Sequence, residues 1–509
     1  MSRSTANIGS KFRTGLAATG AVNIGRQIVE FVSGIILARL LVPEDFGIVA
    51  IGMGFLRISF VVGNLGMGAA VIQAESVDRK DLDTASSISA LIGIGLSAAG
   101  ILLSPVAADF FSMPALETAM PVMSLQVLLA GLGAIPIATM RRDLLYGRIA
   151  LIEGASSLIY AVVGIGLAAT GWGVWSLVWA PLAGGVWTAV AAVATSGYLP
   201  KPGLDRTAVR KFMRFGGGLT IKNTFYFASR NMDYLIVARM LGAASTGLYT
   251  RAFKLTRLPQ DRLVGVLYSM SFPVFCRLRD DTTRFHEWFE KVSVVIAVAS
   301  TPLVLGLSAV ADDFILGILG SQWEGAIVPL RILGFAAAIN CQHALVGAAI
   351  DATGKIRYEI ATQFIYAVLV VTGCIVGAGW GLGGVGFGIL IAALTMYAMK
   401  AYTMYVATGL PVSRYLRPAF APMVAGLTMY AAVRWGVSAI EIGDGTESGP
   451  RLVRLLASTT LGAVVYGATL YMLSPASIHT VWDQLKKLRG DVSNRAARSE
   501  TVEESAEAP

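Results

Sequence analysis

The chain has 509 residues, 55% hydrophobic and 14% charged, with a net charge of +9 and a mean hydropathy of +0.65. Soluble globular proteins carry about 25% charged residues, so the composition excludes an ordinary soluble domain and indicates an all-α integral membrane protein. Lys and Arg recur in short clusters between apolar runs, as in cytoplasmic loops, which argues against nucleic acid as a partner.

The N-terminal MSRSTANIGSKFR has no apolar core before a cleavage site, so no signal peptide is expected. Apolar runs near the roughly 20 residues needed to cross a bilayer fall at about 16–38, 46–72, 84–104, 118–139, 151–170 and 174–195. They resume at about 216–238, 258–276, 292–311, 326–349, 358–378 and 384–406, and two more follow at about 416–438 and 452–473. The expectation is about 14 transmembrane helices. Connections after even-numbered runs are basic (Arg79 and Lys80; Arg141, Arg142 and Arg148; Arg277, Arg279 and Arg284; Lys355 and Arg357), whereas those after the third, fifth, ninth and eleventh have no Lys or Arg. The positive-inside rule then puts both termini of this multi-pass membrane protein in the cytoplasm.

The domain expectation is a six-helix lobe over 1–196, a basic cytoplasmic linker over 197–214, a second six-helix lobe over 215–407, two added helices over 408–474 and a cytoplasmic tail over 475–509. The tail opens with Ile478, Val481, Trp482, Leu485 and Leu488 on one helical face, which suits an interfacial helix, and ends in an acidic segment with a disordered composition. The lobes repeat. At a shift of 200 residues Asn23, Ile36, Ala38-Arg39, Leu41 and Gly47 meet Asn223, Ile236, Ala238-Arg239, Leu241 and Gly247. At a shift near 207, Gly147-Arg148, Glu153, Tyr160 and Gly171-Trp172-Gly173 meet Gly354-Lys355, Glu359, Tyr366 and Gly379-Trp380-Gly381. Six spans separate the copies, which describes parallel repeats around a central cavity.

The first run is interrupted by charge: Asn23, Arg26, Gln27 and Glu30 share one stripe, with Ser33 at its edge. The seventh run carries Lys222, Tyr226, Ser229 and Asp233 on one stripe with Arg230 beside it, and the second adds Arg57 and Asn64. Charge at the bilayer centre costs about 2.5–3.5 kcal/mol on insertion scales, so these groups should face an interior or pair. Arg26 with Glu30 and Arg230 with Asp233 are the pairs that helical spacing offers. Four basic groups against two acidic ones leave a positive surplus, which suits a phosphate-bearing substrate. Arg26, Arg57, Lys222 and Arg230 are therefore the candidate substrate-binding residues, and Glu30 and Asp233 the candidates for ion coupling.

Cys276, Cys341 and Cys374 have no paired spacing, and His343 beside Cys341 does not complete a metal site, so no metal or cofactor is expected. Asp312, Asp313 and Glu324 read as a solvated outer loop without basic neighbours. Glu153 and Glu359 read as partners of Arg148 and Lys355 at cytoplasmic span ends. Trp172, Trp175 and Trp380 suit an aromatic belt. Gly354-Lys355 lacks the rest of a phosphate-binding loop, so ATP is not the expected energy source.

Four stretches carry a resemblance: LARLLVPEDFGIVA (37–50), GNLGMGAAVIQ (63–73), GLYTRAFKLTRLPQDRLVGVLYSMSFPVFCRLRDD (247–281) and ILGSQWEGAIVPLRILG (318–334). In this order they resemble Wzx-type polysaccharide exporters of the multidrug/oligosaccharidyl-lipid/polysaccharide exporter superfamily, over about residues 10–475. The resemblance implies a flippase, not an enzyme. It would move polyprenyl-pyrophosphate-linked oligosaccharide to the outer leaflet by alternating access, driven by an ion gradient or potential, with a polysaccharide polymerase and glycosyltransferases as possible partners. A multidrug exporter, the nearest rival, would favour acidic cavity residues. A polysaccharide polymerase or ligase would need a large outward loop with clustered acid, Arg and His residues, and the stretch at 439–451 has no His.

Overall fold

The computed structural model describes residues 2–63, 67–74, 76–206, 208–209, 232–438 and 448–482. It is helical, with no strand among the described residues. The helices are α1 (Ser2–Leu40), α2 (Pro43–Gly63), α3 (Met67–Gln73), α4 (Arg79–Phe111), α5 (Ala115–Arg142), α6 (Tyr146–Ala169) and α7 (Val174–Thr195). They continue as α8 (Met232–Pro259), α9 (Gly265–Leu278), α10 (Thr282–Ala309), the single turn α11 (Ala311–Phe314), α12 (Ile327–Ala352), α13 (Ile356–Ala378), α14 (Gly381–Thr408), α15 (Val412–Ser438) and α16 (Ser448–Leu473). Nine helices among the described residues are long and apolar enough to cross a membrane, and the protein is a multi-pass membrane protein. Each predicted apolar run overlaps a helix where it is described. The helices generally extend past the apolar runs, because polar and charged residues continue the helix beyond the apolar stretch.

The chain separates into two units. The first holds residues 1–250 and 319–325, and the second holds 251–318 and 326–509. In the first, Ile48, Ile51, Leu56, Leu116, Met123, Val178 and Ala238 form a common core. The Arg142 guanidinium donates to the carbonyls of Val71 (2.7 Å) and Ala74 (2.6 Å), satisfying the C-terminal end of α3. In the second unit, Phe275, Phe285, Phe289, Cys341, Met404 and Tyr415 form one core. A further core joins Leu305 and Ala338 to Met429, Val433, Tyr466 and Leu470, and so packs α15 and α16 on α10 and α12.

Small residues let helix backbones meet, as membrane packing without a hydrophobic driving force requires. A Cβ on Gly377 of α13 would lie 2.3 Å from the Gly384 carbonyl of α14. Pro259 lacks an N–H, and its ring crowds the carbonyl one turn back; the chain widens there into a π-helical turn, Gln260–Val264, before α9.

The segment 319–325 shows how a distant loop completes a helix end. The last carbonyls of α1 have no intrahelical partner. The fully buried Trp323 donates its Nε1–H to Ala38 O (2.8 Å), Gln322 Nε2 donates to the same carbonyl (2.9 Å), and the indole meets Phe46 edge-on at 5.2 Å.

Candidate functional site

The charged stripe of α1 forms as a local pair: Arg26 Nη1 lies 3.4 Å from Glu30 Oε1, one turn apart, with the two side chains 30% and 44% exposed. Glu30 also accepts from Ser157 Oγ of α6 at 3.5 Å, and Ser33 Oγ turns back to the Glu30 carbonyl. Arg57 of α2 is exposed.

α8 bends sharply. Gly242 adopts φ 82° and ψ −178°, a conformation that only glycine takes without strain, and the chain turns a corner there. In a straight helix Asp233 and Tyr249 would be about 24 Å apart at 1.5 Å per residue. The corner instead brings the Tyr249 hydroxyl to donate to Asp233 Oδ2 at 2.6 Å, with Asp233 4% exposed. Beside Asp233, Tyr234 packs on α2 at Gly54, where an added Cβ would sit 2.9 Å from Tyr234 Oη, and Tyr234 lies within electrostatic range of Arg57. The structure thus groups Arg57 with the Asp233–Tyr234–Tyr249 set, and Arg26 with Glu30. Lys222 and Arg230 lie outside the described residues, as do Tyr226, Ser229, Asn64, Asn223 and the tail positions Leu485 and Leu488.

The corner also makes a reciprocal contact that follows the 200-residue repeat. A Cβ on Gly47 would lie 1.8 Å from the Ala243 carbonyl, and a Cβ on Gly247 would lie 1.8 Å from the Pro43 carbonyl. Positions 43 and 47 thus meet their own repeat partners, 243 and 247, crosswise, which is the geometry of a local two-fold.

Two sequence expectations are corrected. Asp312 and Asp313 are not a loop without basic neighbours. Asp312 Oδ2 takes Arg331 and Arg434 (the latter at 2.7 Å), and Asp313, 8% exposed, lies 3.4 Å from Arg454 Nε. Burial, opposed mainly by Arg454, holds the Asp313 carboxyl above its usual range. Sequence reasoning missed this cluster because its arginines come from α12, α15 and α16. Likewise Glu359 pairs not with Lys355 but with the fully buried Lys400 of α14, and also accepts from Gln363 at 3.2 Å. Lys355 donates instead to Ala407 O at 2.8 Å. His343 shares a hydrogen bond with Asn340 Oδ1 at 3.1 Å. Trp172 and Trp380 are exposed, whereas Trp175 is half-buried against the core of the first unit. Arg257, whose guanidinium lies 4.7 Å from the Phe253 ring centroid, follows Arg57 by 200 residues; extending the repeat would have marked it as a further basic candidate.

A family model described as "Polysaccharide biosynthesis protein" matches residues 36–328, more than half of the chain. The lipopolysaccharide biosynthesis protein WzxC of Escherichia coli K12 is 23% identical over 398 residues, covering 76% of this chain and 79% of its own. The succinoglycan biosynthesis transport protein ExoT of Rhizobium meliloti is 22% identical over 467 residues, covering 90% and 92%. Among solved structures, the lipid II flippase MurJ in an inward closed conformation has the same fold, with a TM-score of 0.70 at 14% identity over 90% of this chain and 99% of that one. With matched residues reaching from the end of α1 to the start of α12, the chain belongs to the polysaccharide biosynthesis protein family.

Proposed function

We propose that the protein is a flippase that carries polyprenyl-pyrophosphate-linked oligosaccharide from the cytoplasmic to the outer leaflet of the bacterial inner membrane, for exopolysaccharide or lipopolysaccharide synthesis. The observation that carries this reading is the family match over residues 36–328. It is supported by near full-length similarity to a protein named for succinoglycan transport. In this reading Arg26, Arg57, Lys222 and Arg230 hold the pyrophosphate, since guanidinium and ammonium groups match its oxygens in charge and Arg also in shape. The six-helix lobes at 1–196 and 215–407 alternate access, and both termini stay in the cytoplasm.

Glu30 gives this scheme a coupling step. Its carboxylate sits 3.4 Å from Arg26, so it competes with pyrophosphate for that guanidinium. This competition for one guanidinium makes Glu30 the first coupling candidate. Asp233, held by Tyr249, is the second coupling candidate. A polymerase and glycosyltransferases on the same pathway are the expected partners.

The test uses a host that lacks its own exporter and makes the cognate glycan. The intact chain should relieve accumulation of polyprenyl-linked oligosaccharide, whereas Arg26→Ala and Arg57→Ala, at matched protein level, should not. Full relief by both variants would remove the basic stripe from the mechanism. No relief by the intact chain would sink the flippase reading itself.

A further inference from the structure

A cavity of about 350 Å³ opens in the first unit between the α4–α5 turn and the corner of α8. Its apolar lining includes Ile48, Phe111, Met113 and Pro114, and two charged residues of opposite sign, Glu44 and Arg239, also line it. The two make no ion pair within 4 Å among the described residues. Arg239 instead has its guanidinium over the Phe110 ring, 5.4 Å from the centroid. The turn is fixed: Ser112 adopts the left-handed conformation (φ 55°), and its N–H caps the last turn of α4. Gly242, the corner residue, lines the opposite side.

The repeat shows what such a place can hold. At the shift of 200, Ala238 and Arg239 correspond to Ala38 and Arg39. Against Ala38 the chain inserts a flat ring with a polar edge: Trp323, whose N–H reaches the Ala38 carbonyl. Ala238 and Arg239, the repeat counterparts of Ala38 and Arg39, both line the cavity.

We infer that this cavity is a carbohydrate subsite that takes one or two pyranose units. The chemistry of its walls selects the class. A lipid phosphate would call for cations without the carboxylate of Glu44, and an organic cation for the reverse. A sugar ring presents an apolar C–H face to Phe111, Met113 and Pro114. Its rim of hydroxyls donates to the Glu44 carboxylate and accepts from the Arg239 guanidinium, charge-assisted in both directions. The volume lies at the small end of ligand sites, which limits the occupant to a terminal or near-terminal portion of a glycan. The assignment rests on the proposed function only in taking the transported glycan as the natural source of the sugar.

The experiment measures binding, not transport, so its failure and failure of the flippase reading are distinguishable. Saturation-transfer NMR is run on the full-length protein in detergent with a panel of free sugars: glucose, galactose, glucuronic acid and their disaccharides. The inference expects transfer from at least one of them at millimolar concentration. Arg239→Gln should weaken that binding at least tenfold, and Ala115→Trp, which fills the cavity, should abolish it, with melting temperatures unchanged. Glu44→Gln, which is nearly isosteric and adds no bulk to the cavity, serves as a second variant, again weakening binding without unfolding. Transfer that is absent for the whole panel, or that persists undiminished in folded Arg239→Gln and Glu44→Gln proteins, would overturn the inference.

Discussion

The reciprocal contact at Gly47 and Gly247 makes a quantitative prediction. Replacing Gly47 by Ala places a methyl 1.8 Å from the Ala243 carbonyl oxygen, where real Cβ atoms essentially never come closer than 3.0 Å. One backbone must therefore retreat by more than about 1 Å. Overpacking of this kind costs about 1–3 kcal/mol, occasionally more. Against it stands the helical advantage of Ala over Gly, about 0.5–1 kcal/mol. The clash wins, so Gly47→Ala should lower the melting temperature of the purified protein in detergent. Gly25→Ala in α1 is the matched control, because nothing lies within 4 Å of its added methyl; it should leave stability unchanged or raise it. Gly247→Ala should behave like Gly47→Ala. The double variant should cost less than the sum, since one retreat relieves both contacts. Scanning fluorimetry of the four proteins decides the matter. A Gly47→Ala protein as stable as Gly25→Ala would refute the reasoning.

Other outcomes follow from the pairs and plugs. Glu359→Gln leaves the fully buried Lys400 ammonium without its partner and should destabilise by about 3–5 kcal/mol. Lys400→Met should cost less because Glu359 is partly exposed and keeps Gln363, and the double variant should recover most of the larger loss, as read by thermal melts. Trp323→Ala empties a fully buried site and removes one donor from the Ala38 carbonyl; a loss of about 3–5 kcal/mol is expected by the same assay. Asp313 gives a pH signature in which Arg454, Asp312, Arg451 and Arg434 all act on its carboxyl. Its folded pKa is raised, so the folded chain holds a proton at higher pH than the unfolded chain. The ionised form therefore costs stability at neutral pH, and that cost is relieved as pH falls through the folded value. Asp313→Asn should remove this component from stability–pH profiles, and an unchanged profile would contradict it.

The helices were readable because a membrane span needs a long apolar stretch, and such stretches are local features of the sequence. The pair Arg26–Glu30 was readable for the same reason, since a helix puts residues four apart on one face. Contacts distant in sequence were not. Asp312 draws Arg434 from 122 positions away, and Glu359 draws Lys400 from 41 away; nothing in the local pattern of either acid names its partner. The 200-residue repeat could be read, but its physical meaning at Gly47 and Gly247 needed the corner at Gly242, a single backbone conformation that apolar periodicity does not report.

The central claim is translocation of a polyprenyl-pyrophosphate-linked glycan, and the most direct measurement is reconstitution. Full-length protein is placed in vesicles loaded with a fluorescent polyprenyl-pyrophosphate oligosaccharide, and the labelled glycan reaching the opposite leaflet is followed by its accessibility to an added glycosidase, with and without an imposed pH gradient. The account predicts protein-dependent translocation that Arg57→Ala abolishes. Equal accessibility in vesicles with and without the protein, when the reconstituted protein is folded and the glycan is the cognate one, would contradict it.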